Sequence, residues 1–65
     1  MNMRLVQKTV IRLTKVDGTQ HDIVLNYDDA CTEVIAQAAT QLIHRHTLMD
    51  GDGVMVITAD VEEDD

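Results

Sequence analysis

Apolar and polar residues alternate from Leu5 to Lys15 and again from Gln20 to Tyr27, and a period of two over such lengths predicts two β-strands. Asp17-Gly18 between them is a hairpin signal, and two turn geometries compete for it. A two-residue turn would pair Val16 with Thr19, setting Ile11 and Leu13 on the face opposite Ile23 and Leu25 and splitting the core. A three-residue loop, Val16-Asp17-Gly18, instead puts Gly18 at the left-handed position of a bulged turn and pairs Lys15 with Thr19. Thr9 then faces Leu25, Ile11 faces Ile23 and Leu13 faces His21, with Leu5 and Tyr27 pointing the same way, which makes one largely apolar face. The other face pairs Val10 with Val24, Arg12 with Asp22 and Lys8 with Asn26. Cross-strand pairs of this kind contribute about 0.2 to 1 kcal/mol each, and a slip of one residue destroys both faces.

Beyond Tyr27 the period changes. Asp28 or Asp29 is suited to cap a helix running to about His46, with Glu33 near its positive end and Arg45 near its negative end. Cys31, Val34, Ile35, Ala38 and Leu42, flanked by Ile43, recur at helical spacing as a buried stripe, and Ala36, Ala38 and Ala39 let the helix lie close to a sheet. Asp50-Gly51-Asp52-Gly53 breaks the chain, and Val54 to Val61 reads as a third strand. The expected fold is α+β: a single β-β-α-β domain over residues 1–61, with a three-stranded mixed sheet in the order 2-1-3 and one helix on one face. The first and third strands are expected to be parallel neighbours joined by a right-handed crossover. Residues 62–65 are expected to form an acidic C-terminal tail.

In its opening portion this order resembles the ubiquitin-like β-grasp family: a bulged hairpin with Gly18 in its turn, an Asp-capped helix after Tyr27, then a return strand. The closing strands of that family and its C-terminal Gly-Gly have no counterpart here, so the resemblance implies a fold pattern and not conjugation. Small inhibitor proteins encoded by phages are similar in size, acidity and economy.

Composition sharpens the picture at two points. First, 65 residues with one aromatic side chain, Tyr27, and one cysteine, Cys31, can build neither a large aromatic core nor an internal disulfide. A domain of this size buries only about 60% of the surface of its unfolded chain, so association with a second copy is an expected reinforcement. Second, charge is divided along the chain. Residues 1–16 carry Arg4, Lys8, Arg12 and Lys15 and no acid, whereas residues 17–65 carry twelve acids and Arg45, a split of +4 against −11. Such asymmetry suggests electrostatic pairing with a partner. No apolar run is long enough for a membrane span and no secretory signal opens the chain, so a cytoplasmic protein without membrane contact is expected.

No enzyme or cofactor signature emerges. Asp50-Gly51-Asp52-Gly53 begins like a calcium loop, but Val54, Val56 and Val61 occupy positions where further ligands would be needed, leaving a polar turn. His44 and His46 are two apart on a helix and point to different sides, and Cys31 lies three turns away, so neither a metal site nor a Cys-His pair is expected. Cys31 reads as a small buried hydrophobe and His21 as a partly covered structural histidine. The net charge of −7, with no aromatic residue among the bases, opposes nucleic-acid binding.

The surfaces that remain are an apolar sheet face and an acidic end. With the helix over Ile11, Ile23 and Leu25, nothing is left to cover the opposite face, where Val6, Val10 and Val24 sit beside either Val54 and Val56 or Met55 and Ile57. The third strand also offers an edge without charge or proline over Val54 to Thr58. The expected partner-binding residues are Val10, Val24, Val54 and Val56, together with the acids Asp60, Glu62, Glu63, Asp64 and Asp65. The function expected is that of a small non-enzymatic protein-binding module, such as a phage-type inhibitor of a host enzyme or defence protein, whose partner carries a basic patch. The alternative is an accessory subunit that homodimerises through its sheet.

Overall fold

The computed structural model describes residues 2–64. Strand β1 (Met3–Thr14) is followed by β2 (Gln20–Asn26), a 3₁₀ turn over Tyr27–Asp29, helix α1 (Thr32–His46) and β3 (Gly53–Asp64). The three strands form one sheet in the order β2-β1-β3.

The hairpin has the bulged loop. Gly18 lies at φ +93°, its N–H donates to the Lys15 carbonyl at 2.8 Å, and the Lys15 N–H donates to the Thr19 carbonyl at 2.7 Å. The Asp17 carboxylate accepts from the Thr19 N–H at 2.9 Å, which fixes the loop and holds the Asp17 pKa below the usual carboxylate range. The register follows as expected: Val10 opposite Val24, Ile11 opposite Ile23, Arg12 opposite Asp22 and Leu13 opposite His21.

Strand direction departs from expectation. β3 runs antiparallel to β1, from Thr14 opposite Gly53 to Met3 opposite Asp64, so the sheet is antiparallel throughout and not mixed. The reason is topological. The helix reverses the chain between β2 and β3, making those two parallel, and β1 lies between them, antiparallel to both. β3 is also longer than expected: Glu62, Glu63 and Asp64 lie within the strand opposite Leu5, Arg4 and Met3 and do not form a tail after residue 61. Asp65 lies outside the described residues.

The helix begins later than expected. Asp28 and Asp29 belong to the 3₁₀ turn, and the N-cap is Cys31, whose backbone is extended (φ −86°, ψ 167°). Lying before the helix, Cys31 drops out of the buried stripe and is exposed. Ala38 and Leu42 are buried against Ile11 and Leu13, with Ile23, Leu25, Ile35 and Ala39 packed around them. This is the core of the domain, and it lies beneath the helix on β1 and β2. The helix leaves most of β3 bare.

Candidate protein interface

Each side of the sheet has its own composition, set by the register. On the helix side, Thr9, Ile11 and Leu13 of β1 lie between Leu25, Ile23 and His21 of β2 and Thr58, Val56 and Val54 of β3. On the open side, Val6, Lys8, Val10 and Arg12 of β1 lie between Asn26, Val24 and Asp22 of β2 and Val61, Ala59, Ile57 and Met55 of β3. The expected contact residues therefore separate. Val10 and Val24 share the open face with Met55 and Ile57, whereas Val54 and Val56 are on the helix side, on a strip that the helix does not cover.

Among the open-face residues, Val24 is 54% exposed, Met55 51% and Val61 36%, but Val10 only 5%. Val10 sits on the central strand between Val24 and Ile57, with Lys8 and Arg12 two residues away on either side, so its neighbours enclose it without help from the helix. Long cationic side chains can cover apolar surface in this way while their heads reach polar partners.

Those heads are all engaged. Lys8 Nζ donates to Asn26 Oδ1 at 2.6 Å and pairs with Glu63 Oε1 at 2.6 Å, linking β2 to β3 across β1. Arg12 reaches Asp22 through two parallel bonds of 3.0 Å, the fork geometry suited to a carboxylate. These bonds lower the pKa of Glu63 and of Asp22 and raise that of Arg12. Arg4 stands opposite Glu63 and adds to the field that favours its charged form.

The fourth base closes the other end of the molecule. Lys15 Nζ donates to the carbonyls of His46 (3.0 Å) and Thr47 (2.8 Å) and to Asp52 Oδ2 (2.5 Å), satisfying helix-terminal carbonyls that have no intrahelical partner. Asp52 also accepts from the backbone N–H groups of Val16 and Met49, each at 2.8 Å, and its side chain is fully shielded. The Lys15 bond, followed by the Met49 N–H, holds its pKa below the usual range. Beside this knot the rings of His21 and His46 stack, centroids 3.7 Å apart and 11° from coplanar. Desolvation and then the proximity of His21 lower the pKa of His46.

The basic part of the charge split is thus met within the fold, since the central strand has acids on both neighbours, and most of the acids remain for the surface. Asp60, Glu62 and Asp64 project from the helix side of β3, beyond the helix, and have no ion-pair partner among the described residues. Glu63, one of the expected partner-binding acids, is occupied by Lys8. Among the described residues no group of three or more His, Cys, Asp or Glu could hold a metal ion. Among the described residues no helix is long and apolar enough to cross a membrane. No family model matches the chain, and no curated protein or solved structure matches it.

Proposed function

We propose that this chain is a non-enzymatic protein-binding module that presents the open face of its sheet to a protein partner, in the manner of a small inhibitor of an enzyme or defence protein. The observation that carries this reading is the apolar patch of Val24, Met55 and Val61, continued by the half-buried Val6 and Ile57, on a face that no other element covers. The Arg12–Asp22 pair borders it at the hairpin end, and the Lys8–Glu63 pair crosses it between Val10 and Val6, so apolar side chains and paired charges alternate over the face. Asp60, Glu62 and Asp64 supply a negative field beside the patch, so the complementary partner carries basic groups and associates faster at low salt.

Val24→Lys tests the proposal, because Val24 lies on β2, is more than half exposed and stands on the face away from the helix. A partner captured by the wild-type chain and lost by the Val24→Lys chain, with an unchanged circular dichroism spectrum, supports the open face. Equal capture by both removes it. Neutralising Asp60, Glu62 and Asp64 to Asn and Gln is expected to slow association and leave dissociation nearly unchanged.

A further inference from the structure

The outer edge of β3 is a second unsatisfied surface, independent of the open face. No strand lies beyond β3 among the described residues, so alternate N–H and C=O groups along it point away from the sheet. Edges of this kind are normally blunted by charge, proline or a covering element. Asp60, Glu62, Glu63 and Asp64 blunt the second half of this one, but Gly53–Ala59 carries no charge and no proline, and the helix lies elsewhere.

We infer that the chain pairs with a second copy of itself through this uncharged segment, antiparallel about a two-fold axis at Val56, to form one six-stranded sheet. The symmetry restricts the register. A two-fold axis perpendicular to the sheet keeps both helices on one side, and it requires facing residues to come from the same side of the sheet. Centring on Val56 pairs the uncharged segment with itself over its whole length: Gly53 with Ala59, Val54 with Thr58, Met55 with Ile57, and Val56 with its own counterpart. Centring at any other residue of the strand leaves part of the segment unpaired. With the axis at Val56, Asp60 falls opposite Asp52 of the copy, whose carboxylate is already engaged by Lys15.

Area argues the same way. The accessible surface is 4682 Å², about 500 Å² more than the surface-to-mass relation gives for a compact monomer of this size. A specific interface must clear about 1,000 Å² in total, or about 500 Å² from each of two copies. Val54, Met55 and Val56 are 38, 51 and 51% exposed, so the segment that would pair offers accessible apolar surface. Pairing also brings the uncovered helix-side strips of the two copies together between the helices and joins their open faces into one surface.

The experiment uses Val56→Lys and Val56→Asp, each measured alone and in equimolar mixture by sedimentation at micromolar concentration. The wild-type chain should sediment as a dimer. Each variant should weaken association by about tenfold or more, because like charges meet at the axis, and the mixture should restore it because opposite charges then meet. A monomeric wild-type chain, or variants that dimerise as the wild type does, overturns the proposal, as does a mixture no more associated than its components. A readout that leaves the axis uncharged compares Val56→Cys with Val54→Cys, both in a Cys31→Ser background, under mild oxidation. Faster covalent dimer formation at position 56 supports the register, and equal or faster formation at position 54 overturns it. Val24 lies on the far strand, so failure here leaves the open-face proposal standing, and the converse holds.

Discussion

The two ends of the sheet are built on different physical terms. At the hairpin end, Leu42 and Ala38 of the helix close over Ile11 and Leu13, and Lys15 and Asp52 tie the hairpin, the helix terminus and the loop before β3 into one knot. At the other end, β1 and β3 continue past the last residue of β2 as a two-stranded ribbon, Met3–Gln7 against Asp60–Asp64, with Leu5 67% exposed and Met3 56%. This extension gives the molecule extents of 43 × 26 × 16 Å. One end is held by burial and by shielded polar bonds, the other by backbone pairing and the Lys8–Glu63 bridge. A two-stranded ribbon is marginal by itself, so its order depends on the sheet it continues.

Substitution should separate the two ends most clearly where burial is greatest. Leu42→Ala removes a side chain only 2% exposed and should cost about 2 to 5 kcal/mol in urea unfolding, whereas Leu5→Ala should cost under about 0.5 kcal/mol. Equal costs would show that the ribbon contributes as much packing as the core. Asp52→Asn should come next, lowering the thermal midpoint by roughly 5 to 10 °C, because the ammonium of Lys15 loses its counter-charge in a shielded site. The matching change at the open end, Glu63→Gln, should move the midpoint by no more than about 2 °C.

Acid sharpens the same contrast. Asp17, Asp22, Asp52 and Glu63 all have folded-state pKa values below their ordinary ones, so the folded form binds fewer protons than the unfolded one near pH 4. Their contribution is complete above about pH 4.5 and is lost as pH falls through the folded values. His46 is also lowered, so protonation begins to oppose folding once pH drops below about 6.5. Urea midpoints should therefore decline gently below pH 6.5 and steeply below pH 4.5, and Asp52→Asn should flatten the steep limb more than Glu63→Gln. Equal flattening by the two variants would show that the knot has no special weight.

Two glycines give the finest comparison. Gly18 and Gly51 have nearly the same left-handed φ, +93° and +92°, but a Cβ at Gly18 would meet nothing within 4 Å, whereas at Gly51 it would lie 3.1 Å from Val16 Cγ2. Gly18→Ala should cost about 1 kcal/mol from backbone strain alone. Gly51→Ala should cost more, since Val16 must also shift. A reversed order in urea midpoints would show that the loop before β3 yields more readily than the hairpin loop.

Local chemistry was legible in the sequence, and relations over long separations were not. The hairpin register could be argued because the loop pins it and only one register keeps Ile11, Leu13, Ile23 and Leu25 together. The direction of β3 follows from counting chain reversals: the helix returns the chain to the start of β2, so β3 runs with β2 and against β1 in the order 2-1-3, and the alternation of residues 54–61 carries no signal of it. The side on which Val54 and Val56 fall follows from that pairing, so it was left open between two pairs of residues. The end of β3 is hidden because the five acids in the six residues from Asp60 to Asp65 resemble a solvated tail, while Lys8, more than fifty residues earlier, gives Glu63 a reason to stay in the ladder. The Lys15–Asp52 knot joins residues 37 apart that share no local pattern. Cys31 fits the buried stripe by its spacing, and one turn of 3₁₀ helix ahead of it removes it from the stripe.

Placing β1 at the centre of the sheet also sets the order in which the chain can fold. The hairpin and the helix draw on neighbouring stretches of sequence, but pairing β1 with β3 closes loops from 39 residues, at Thr14 and Gly53, to 61 residues, at Met3 and Asp64. Loop-closure entropy favours the shorter of these, so β3 is expected to zip onto the hairpin and helix from Gly53 onward. Until it does, the central strand is itself an edge, and its first residues wait for the last residues of the chain to arrive.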